Sequence, residues 1–296
     1  MATTQTGPVS RPVATHGVGV ARPVPWRKYL LWLLLSLGAL VMILPFYWTL
    51  VTSFKPQVEI GRIPPTLWPE SLTLEHWESL GNLPAGNFLS FFRNSLFVAT
   101  ATTAVTLLTS SAAGYVFAKL QFRGRDKLFL VILAMMLIPF NITLIPSYAL
   151  MVDLGWTNNY LALIVPIAFN PFGIFLMRQF MHGIPNELLD AARMDGANEF
   201  QIFVRIIIPL SAAGLAALGI FTFIASWDHL LWPLVVIDDP ELWTLPLGLA
   251  QFRGRTGVDV GALCAAAMLA VIPTLAVYLV AQRRFIEGIA LSGTKG

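Results

Sequence analysis

The sequence has little charge and almost no cysteine, and both shortages exclude classes of protein. Asp, Glu, Lys and Arg make up 12% of the 296 residues, about half the share found in soluble globular domains. Cys264 is the single cysteine, so neither an intrachain disulfide nor a cysteine metal site can form. Hydrophobic residues reach 56%, and this composition predicts an integral membrane protein.

Motifs of enzymes and of self-driven pumps are also missing. No Gly-x-x-x-x-Gly-Lys-Ser/Thr phosphate loop occurs, so the chain lacks that means of hydrolysing ATP. The four histidines do not have the spacing of a zinc site. The long apolar stretches contain no charged residue in their interiors, although ion-driven carriers usually place such groups at mid-membrane. We therefore expect no enzyme activity and no cofactor or metal on this chain, and an energy source outside it.

Six stretches are long and apolar enough to cross a bilayer. A helical span needs about 20 residues, because a rise of about 1.5 Å per residue must cover a core of about 30 Å. A barrel is excluded because its strands would alternate in polarity. We predict an all-α integral membrane protein with six transmembrane helices: Tyr29–Val51, Leu96–Ala118, Leu128–Leu150, Tyr160–Phe180, Ile206–Trp227 and Gly261–Ala281.

The basic residues predict the orientation of these spans. Fourteen of the 19 Lys and Arg residues fall on the side that holds both termini, and such an excess is typical of the cytosolic side. Ten of the 16 Asp and Glu residues fall on the opposite side. The expectation is a multi-pass protein of a prokaryotic plasma membrane with both termini in the cytosol. The basic balance therefore indicates membrane topology and not nucleic-acid binding.

Composition divides the chain into three parts. Residues 1–25 are rich in Thr, Val, Pro and Gly and are predicted to be a disordered cytosolic extension. Residues 26–282 form the six-helix domain, with a charged cytosolic loop at 182–209, and residues 283–296 form a cytosolic tail. Tryptophans in the two long outer connections favour anchors at the headgroup level over a ligand-stacking platform; they are Trp68, Trp77, Trp232 and Trp243.

Prolines and polar groups within the spans suggest a passage for a solute. Proline frees backbone groups that neighbouring helices or water must satisfy, and its density in the third and fourth spans predicts kinked helices that line a cavity. Ordinary kinking for packing is the alternative. Uncharged side chains at depth suit a hydroxyl-rich neutral solute, unless they pair across helices. The candidate path residues are Asn141, Ser147, Tyr148, Asn170 and Trp227.

The most informative segment is the charged island 187–209 between two apolar stretches. Its pattern predicts an amphipathic helix from Glu187 to Asp195, a break at Gly196 and a second helix from Asn198. Arg193 can pair with an acidic residue along this helix or contact a partner protein. A helix of this kind, held against the cytosolic ends of the spans, is suited to be pushed by another protein.

At this island the sequence resembles the permease subunits of binding-protein-dependent ABC importers. Their signature is Glu-Ala-Ala, three residues, Gly, nine residues and Ile-x-Leu-Pro. Here the same spacing carries Asp190-Ala191-Ala192, then Gly196, then Ile206 to Pro209. Asp190 stands where the family has Glu, and Ile208 where it has Leu. The resemblance implies the type I permease fold and a coupling helix that docks on a cytosolic ATPase.

Two more segments resemble the sugar-uptake branch of that family. Residues 223–249 follow a W-N-x-x-x-x-P-L…T-L-P-x-G-L pattern, with Asp228 where Asn is usual, and residues 282–296 resemble the tail of the second, six-span permease of the maltose importer. The resemblance implies an ATPase contact at this tail, through Gly293, Lys295 and Gly296. It assigns coupling roles to Glu187, Asp190, Ala191, Ala192, Arg193, Gly196, Ile206 and Pro209.

The implied assembly is a heterodimer of two permeases in the lipid bilayer, with a cytosolic ATPase dimer that binds ATP and Mg and an extracytoplasmic sugar-binding protein. The sequence leaves the particular sugar open. A sugar derivative such as a glycerol phosphodiester is the alternative substrate. A self-sufficient secondary carrier is the alternative mechanism, and it would require the ionisable membrane residues that the spans lack.

Overall fold

The computed structural model describes residues 25–81, 86–250, 253–254 and 257–292. Nearly all of the predicted extension 1–25 and the tail residues Gly293, Lys295 and Gly296 lie outside the described residues. The helices are α1 (Pro25–Thr52), α2 (Gln57–Ile60), α3 (Glu75–Ser79), α4 (Phe88–Lys119), α5 (Arg125–Met135), α6 (Phe140–Asp153), α7 (Tyr160–Ala168), α8 (Pro171–His182), α9 (Asn186–Met194), α10 (Glu199–Ile202), α11 (Ile208–Leu210), α12 (Ala212–Trp227), α13 (Leu231–Val236), α14 (Leu245–Ala250) and α15 (Val260–Ser292).

Short non-α elements complete the chain. A π-helical turn at Phe203–Ile207 joins α10 to α11, and a 3₁₀ turn at Pro240–Leu242 precedes α14. Two strands of two residues each, β1 (Arg253–Gly254) and β2 (Gly257–Val258), pair antiparallel before α15. The predicted all-α class therefore holds apart from this small hairpin.

The six predicted spans occur as three continuous helices and three bent pairs. α1, α4 and α15 are each long and apolar enough to cross a bilayer. α5 and α6 meet at 98°, α7 and α8 at 43°, and the segment Glu199–Leu210 meets α12 at 77°. If each bent pair is one span, the described residues hold up to six spans by length and composition, the number that the sequence predicts.

Proline accounts for two of the three bends. Pro139 is the residue before α6, and Pro171 is the first residue of α8, where its missing N–H costs no hydrogen bond. Asn170 caps α8 by accepting a hydrogen bond from Gly173 N at 3.2 Å. The Thr109 hydroxyl donates to the free carbonyl of Ala168 at 3.0 Å. Neighbouring side chains thus satisfy the broken backbone, as a membrane interior requires.

The chain divides into two compact units at Tyr47–Trp48, within α1. The described part of the first unit is the apolar helix that begins at Pro25. In the second unit, α4 packs against α8 and α12, and α12 packs against α15. The contact between α4 and α8 is close, because a Cβ on Gly173 would lie 2.4 Å from the Ser110 hydroxyl oxygen. Small residues at such crossings allow helices to approach in membranes.

Of the four tryptophans in the outer connections, Trp232 is a core residue, so the prediction of a headgroup anchor is wrong for it, whereas Trp77 and Trp243 are half-buried. Trp232 is 1% exposed and donates its indole N–H to Ala162 O at 2.7 Å. Trp77 stacks on Phe54, and Trp243 packs beside Phe91. Only Trp68 presents an exposed ring. The physical reason is that the connections fold back onto the bundle, where large aromatic side chains bury most apolar area.

The connection after α1 is held by a buried polar cage. Lys55 and Glu59 are both buried. The Lys55 ammonium donates to Thr66 O, and the Thr66 hydroxyl donates to the Glu59 carboxylate. Glu59 also accepts from Glu70 N at 3.2 Å. The Thr66 hydrogen bond, followed by the Glu70 N–H, lowers the pKa of Glu59 below its usual value.

Candidate functional site

The charged island folds into a short helix pinned by one apolar side chain. α9 spans Asn186–Met194, within one residue of the predicted helix. Leu189 is 1% exposed and packs in a core cluster with Met181, Ile184 and Ile202. Ala192 packs against the same cluster. Glu187, Asp190 and Ala191 are exposed, so the helix presents a slim charged face to its surroundings.

Gly196 ends this helix through its backbone conformation. Its φ is +85°, in the left-handed region that favours glycine. Ala197 N donates to Ala192 O at 2.9 Å, and Gly196 N donates to Arg193 O at 3.0 Å, which is the Schellman pattern. No atom lies within 4 Å of a Cβ built on Gly196. The position therefore requires glycine for its dihedral angle and not for space.

A capping box starts the next helix. Asn198 Oδ1 accepts from Gln201 N at 2.9 Å, and Gln201 Oε1 accepts from Asn198 N at 3.0 Å. α10 then continues through the π-helical turn into α11. Pro209 lies directly after this turn, and its ring would clash with the carbonyl four residues earlier in a regular helix. The wider π turn relieves that clash and places Ile206 half-buried and Pro209 exposed.

Arg193 joins the two helices on either side of the Gly196 break. Its Nη1 donates to Asp190 Oδ1 at 2.7 Å, and its Nε donates to Glu199 Oε1 at 2.9 Å. The hydrogen bond to Glu199, and then the one to Asp190, raises the pKa of Arg193. Of the alternatives open at the sequence level, pairing along the helix with Asp190 is the one observed. Glu199 is a second partner that sequence reasoning missed.

Two residues of α4 bind the chain on either side of the Gly196 break. The Tyr115 hydroxyl donates to Glu199 Oε2, beyond the Gly196 break. One turn later, Lys119 donates to Ile184 O and, at 2.9 Å, to Asn186 Oδ1, just before and at the start of α9. We call this pair of attachments the α4 clamp. The clamp therefore links α4 to the chain on both sides of the Gly196 break.

The candidate path residues do not form one cluster. Asn141 and Tyr148 are exposed on α6, and Ser147 is half-buried between them. Asn170 serves as the cap of α8. Trp227 is 2% exposed and donates its indole N–H to Ala270 O at 3.1 Å, so its contacts are those of a core residue. Their role in a solute path stays a prediction.

An open apolar groove of about 750 Å³ lies between α4, α12 and α15. Its walls include Leu107, Leu215, Gly219, Phe223 and Val277, and Pro209 of α11 borders it. Within the part of the chain that the structure describes, no three His, Cys, Asp or Glu side chains group to hold a metal ion.

The fold and the clamped helix define a multi-pass membrane transport component. Residues 110–288 match the profile of the family described as binding-protein-dependent transport system inner membrane component, and the chain belongs to this family. It is 35% identical over 274 residues to the arabinooligosaccharides transport system permease protein AraQ of Halalkalibacterium halodurans, covering 92% of this chain and 98% of that protein.

Two further similarities agree with this membership. The lactose transport system permease protein LacG of Rhizobium radiobacter is 32% identical over 266 residues, covering 86% of this chain and 92% of LacG. The fold matches a chain in the crystal structure of a bacterial ABC transporter involved in the import of the acidic polysaccharide alginate. That match has a TM-score of 0.78 and 24% identity, and it covers 90% of this chain and 98% of the other. The predicted permease fold is thereby confirmed.

Proposed function

We propose that this chain is one permease of an ATP-driven importer for a neutral oligosaccharide. It would form the membrane path together with a second permease, receive the sugar from an extracytoplasmic binding protein and take energy from a cytosolic ATPase dimer that binds ATP and Mg. The names of its relatives support the substrate class, since they include permeases for arabinooligosaccharides and lactose. Both are uncharged, hydroxyl-rich solutes, in keeping with spans that lack interior charge.

The α4 clamp is the observation that carries the mechanism. α9 presents Glu187, Asp190 and Ala191 outward, while Leu189 and the clamp fix its other side to the bundle. When the ATPase closes and pushes α9, the segment cannot slide freely, because Tyr115 and Lys119 hold it on both sides. The push is then converted into a movement of α4 against its packed neighbours, as expected of rigid-body alternating access.

Reconstitution in vesicles tests this proposal. Uptake of labelled lactose and of an arabino-oligosaccharide is measured with this chain alone, with both permeases, and with the complete set of ATPase, binding protein and ATP. We expect uptake only in the complete set, and none from a proton or sodium gradient. Uptake by the chain alone, or uptake driven by a gradient, would refute the proposal.

The glycerol phosphodiester alternative is tested in the same vesicles. A labelled glycerol phosphodiester replaces the sugar, with the complete set of subunits present. If this solute is imported and both oligosaccharides are excluded, the importer class stands and the sugar assignment fails.

A further inference from the structure

A second cavity lies at the end of α4 that is remote from α9. Its volume is about 550 Å³. One wall is a face of α4, another is the start of α7, and the third is the 3₁₀ turn before α14. The lining residues are Ser90, Arg93, Asn94, Phe97, Tyr160 and Glu241. None of them belongs to the coupling site or to the candidate solute path.

The floor of this cavity is held in place by hydrogen bonds of a buried side chain. Asn94 is only 9% exposed and joins all three walls through its amide. Its Nδ2 donates to Glu241 O at 2.8 Å and to Trp243 O at 3.0 Å, and its Oδ1 accepts from the Tyr160 hydroxyl at 2.8 Å. Phe97 and Tyr160 pack edge to face with ring centroids 5.1 Å apart. The cavity therefore keeps its shape without a ligand.

The rim of the cavity carries one cation and one carboxylate, and they do not pair. Arg93 and Glu241 both have exposed side chains. Neither forms an ion pair within the described ranges of the chain. Ser90 adds a hydroxyl one turn before Arg93. A ligand between these walls can therefore meet a guanidinium on one side and a carboxylate on the other.

The cavity lies at the boundary of the bilayer. α4 has 32 residues and is longer than a hydrocarbon core of about 30 Å, at about 1.5 Å per residue. With the apolar span predicted from Leu96, Arg93 lies about one turn outside the core. Phe97 is 53% exposed and lies one turn further in. The side chains along this face of α4 thus change from charged to apolar. A phospholipid changes in the same way from its headgroup to its acyl chains.

We propose that this cavity binds a phospholipid with a phosphoethanolamine headgroup. Arg93 and Ser90 would hold the phosphate, since guanidinium matches phosphate geometry. Glu241 would accept hydrogen bonds from the ammonium, and Phe97 would contact the first part of an acyl chain. An anionic headgroup without an ammonium would leave Glu241 facing negative charge. With the orientation predicted from the Lys and Arg residues, the site would lie in the outer leaflet.

Native mass spectrometry of the assembled transporter tests the site. Phosphatidylethanolamine, phosphatidylcholine and phosphatidylglycerol with the same acyl chains are titrated separately, and bound lipid is counted. We expect phosphatidylethanolamine to bind tightest, because among the three only its headgroup combines the phosphate with a cation that donates hydrogen bonds to Glu241. Arg93→Gln should weaken its binding about tenfold or more, as for loss of a charge-assisted hydrogen bond. Glu241→Gln should abolish the preference over phosphatidylglycerol.

Arg62→Gln is the matched control, because Arg62 lies on the same side of the membrane and already pairs with Glu70 at 2.6 Å. It should leave lipid binding unchanged. The unfolding midpoint of Arg93→Gln reports whether that variant is folded; a misfolded variant is replaced by Arg93→Lys, which should retain part of the binding. Equal binding by Arg93→Gln and the wild type, equal binding of the three lipids, or displacement of the lipid by lactose would each overturn the proposal. The inference requires only that α4 spans the bilayer, so a failure of sugar import would leave it standing.

Discussion

Tyr115 and Lys119 lie four residues apart at the end of α4 and bind the chain on opposite sides of the Gly196 break. Tyr115 binds Glu199 after α9, and Lys119 binds Ile184 and Asn186 before and at its start. Residues four apart lie on one face of a helix, so a single face of α4 makes both attachments. Under the proposed mechanism, this face of α4 would receive part of a force applied to α9.

Loss of one attachment should separate ATP hydrolysis from transport. Tyr115→Phe keeps the ring but removes the donor to the Glu199 carboxylate, an interaction of about 1.5–3 kcal/mol at most. Glu199 keeps its bond to Arg193, so we expect a folded protein. Uptake per ATP hydrolysed by the assembled transporter should fall several-fold, while hydrolysis continues. The measurement is the ratio of labelled sugar imported to phosphate released.

Tyr278→Phe serves as the control for this substitution, because Tyr278 lies exposed on α15 and away from the clamp. Its ratio should equal that of the wild type. An unchanged ratio in Tyr115→Phe as well would show that the clamp does not transmit force.

The Gly196 break depends on a backbone angle, which an alanine substitution can isolate. Gly196→Ala adds a methyl group where there is room, but it forces an L-residue to a φ of +85°, at a cost of about 1–2 kcal/mol. We expect a lower unfolding midpoint and weaker binding-protein stimulation of ATP hydrolysis. Gly183→Ala is the matched control in the same loop, since φ there is −72° and the nearest atom is 3.7 Å from the added Cβ. Equal midpoints for the two variants would contradict this account.

Local patterns in the sequence were enough to predict α9 and its end. The amphipathic pattern of apolar and charged residues predicts the helix to within one residue, and Gly196 predicts the break. The clamp could not be predicted in this way, because Tyr115 and Glu199 are 84 residues apart and Lys119 and Ile184 are 65 apart. No periodicity or spacing signals a hydrogen bond over such separations.

Aromatic side chains mark the other limit of sequence reasoning. Trp227 is a candidate path residue, a role that stays a prediction, and Trp232 is predicted to be an anchor from its place in an outer connection. The structure buries both, with each indole N–H bonded to a backbone carbonyl. The position of a tryptophan in the sequence does not show whether it lies at the membrane interface or in the core. Both environments suit an apolar ring with one polar group.

Substitution of two adjacent leucines of α9 should affect two different properties, the stability of the permease and its binding to the ATPase. Leu189 is 1% exposed and Leu188 is 47% exposed. Leu189→Ala removes a core contact, so we expect a loss of about 2–5 kcal/mol and a lower unfolding midpoint of the permease. Leu188→Ala should leave that midpoint unchanged but weaken retention of the ATPase during purification. If Leu188→Ala destabilised the permease as much as Leu189→Ala, the orientation of α9 described here would be wrong.

The polar cage after α1 should make stability depend on acidity through Glu59. Hydrogen bonds lower the pKa of Glu59 in the folded chain, so the carboxylate stabilises the fold above its ordinary pKa of about 4.5 and this stabilisation is lost as the pH falls through the lowered value. Thr66→Val removes the strongest of these bonds at nearly constant volume. The variant should therefore unfold at a lower temperature than the wild type at neutral pH, and the difference should vanish in acid.

Glu59→Gln separates titration from packing in the same experiment. It removes the charge at every pH, so its unfolding midpoint should lack the part of the acid dependence that Glu59 contributes in the wild type. Thermal unfolding of the purified transporter in detergent, followed from pH 7 downward, gives all three curves. A gap between Thr66→Val and the wild type that widens in acid would have the wrong sign for a carboxylate of lowered pKa, and it would mean that Thr66 stabilises the loop through some contact other than its bond to Glu59.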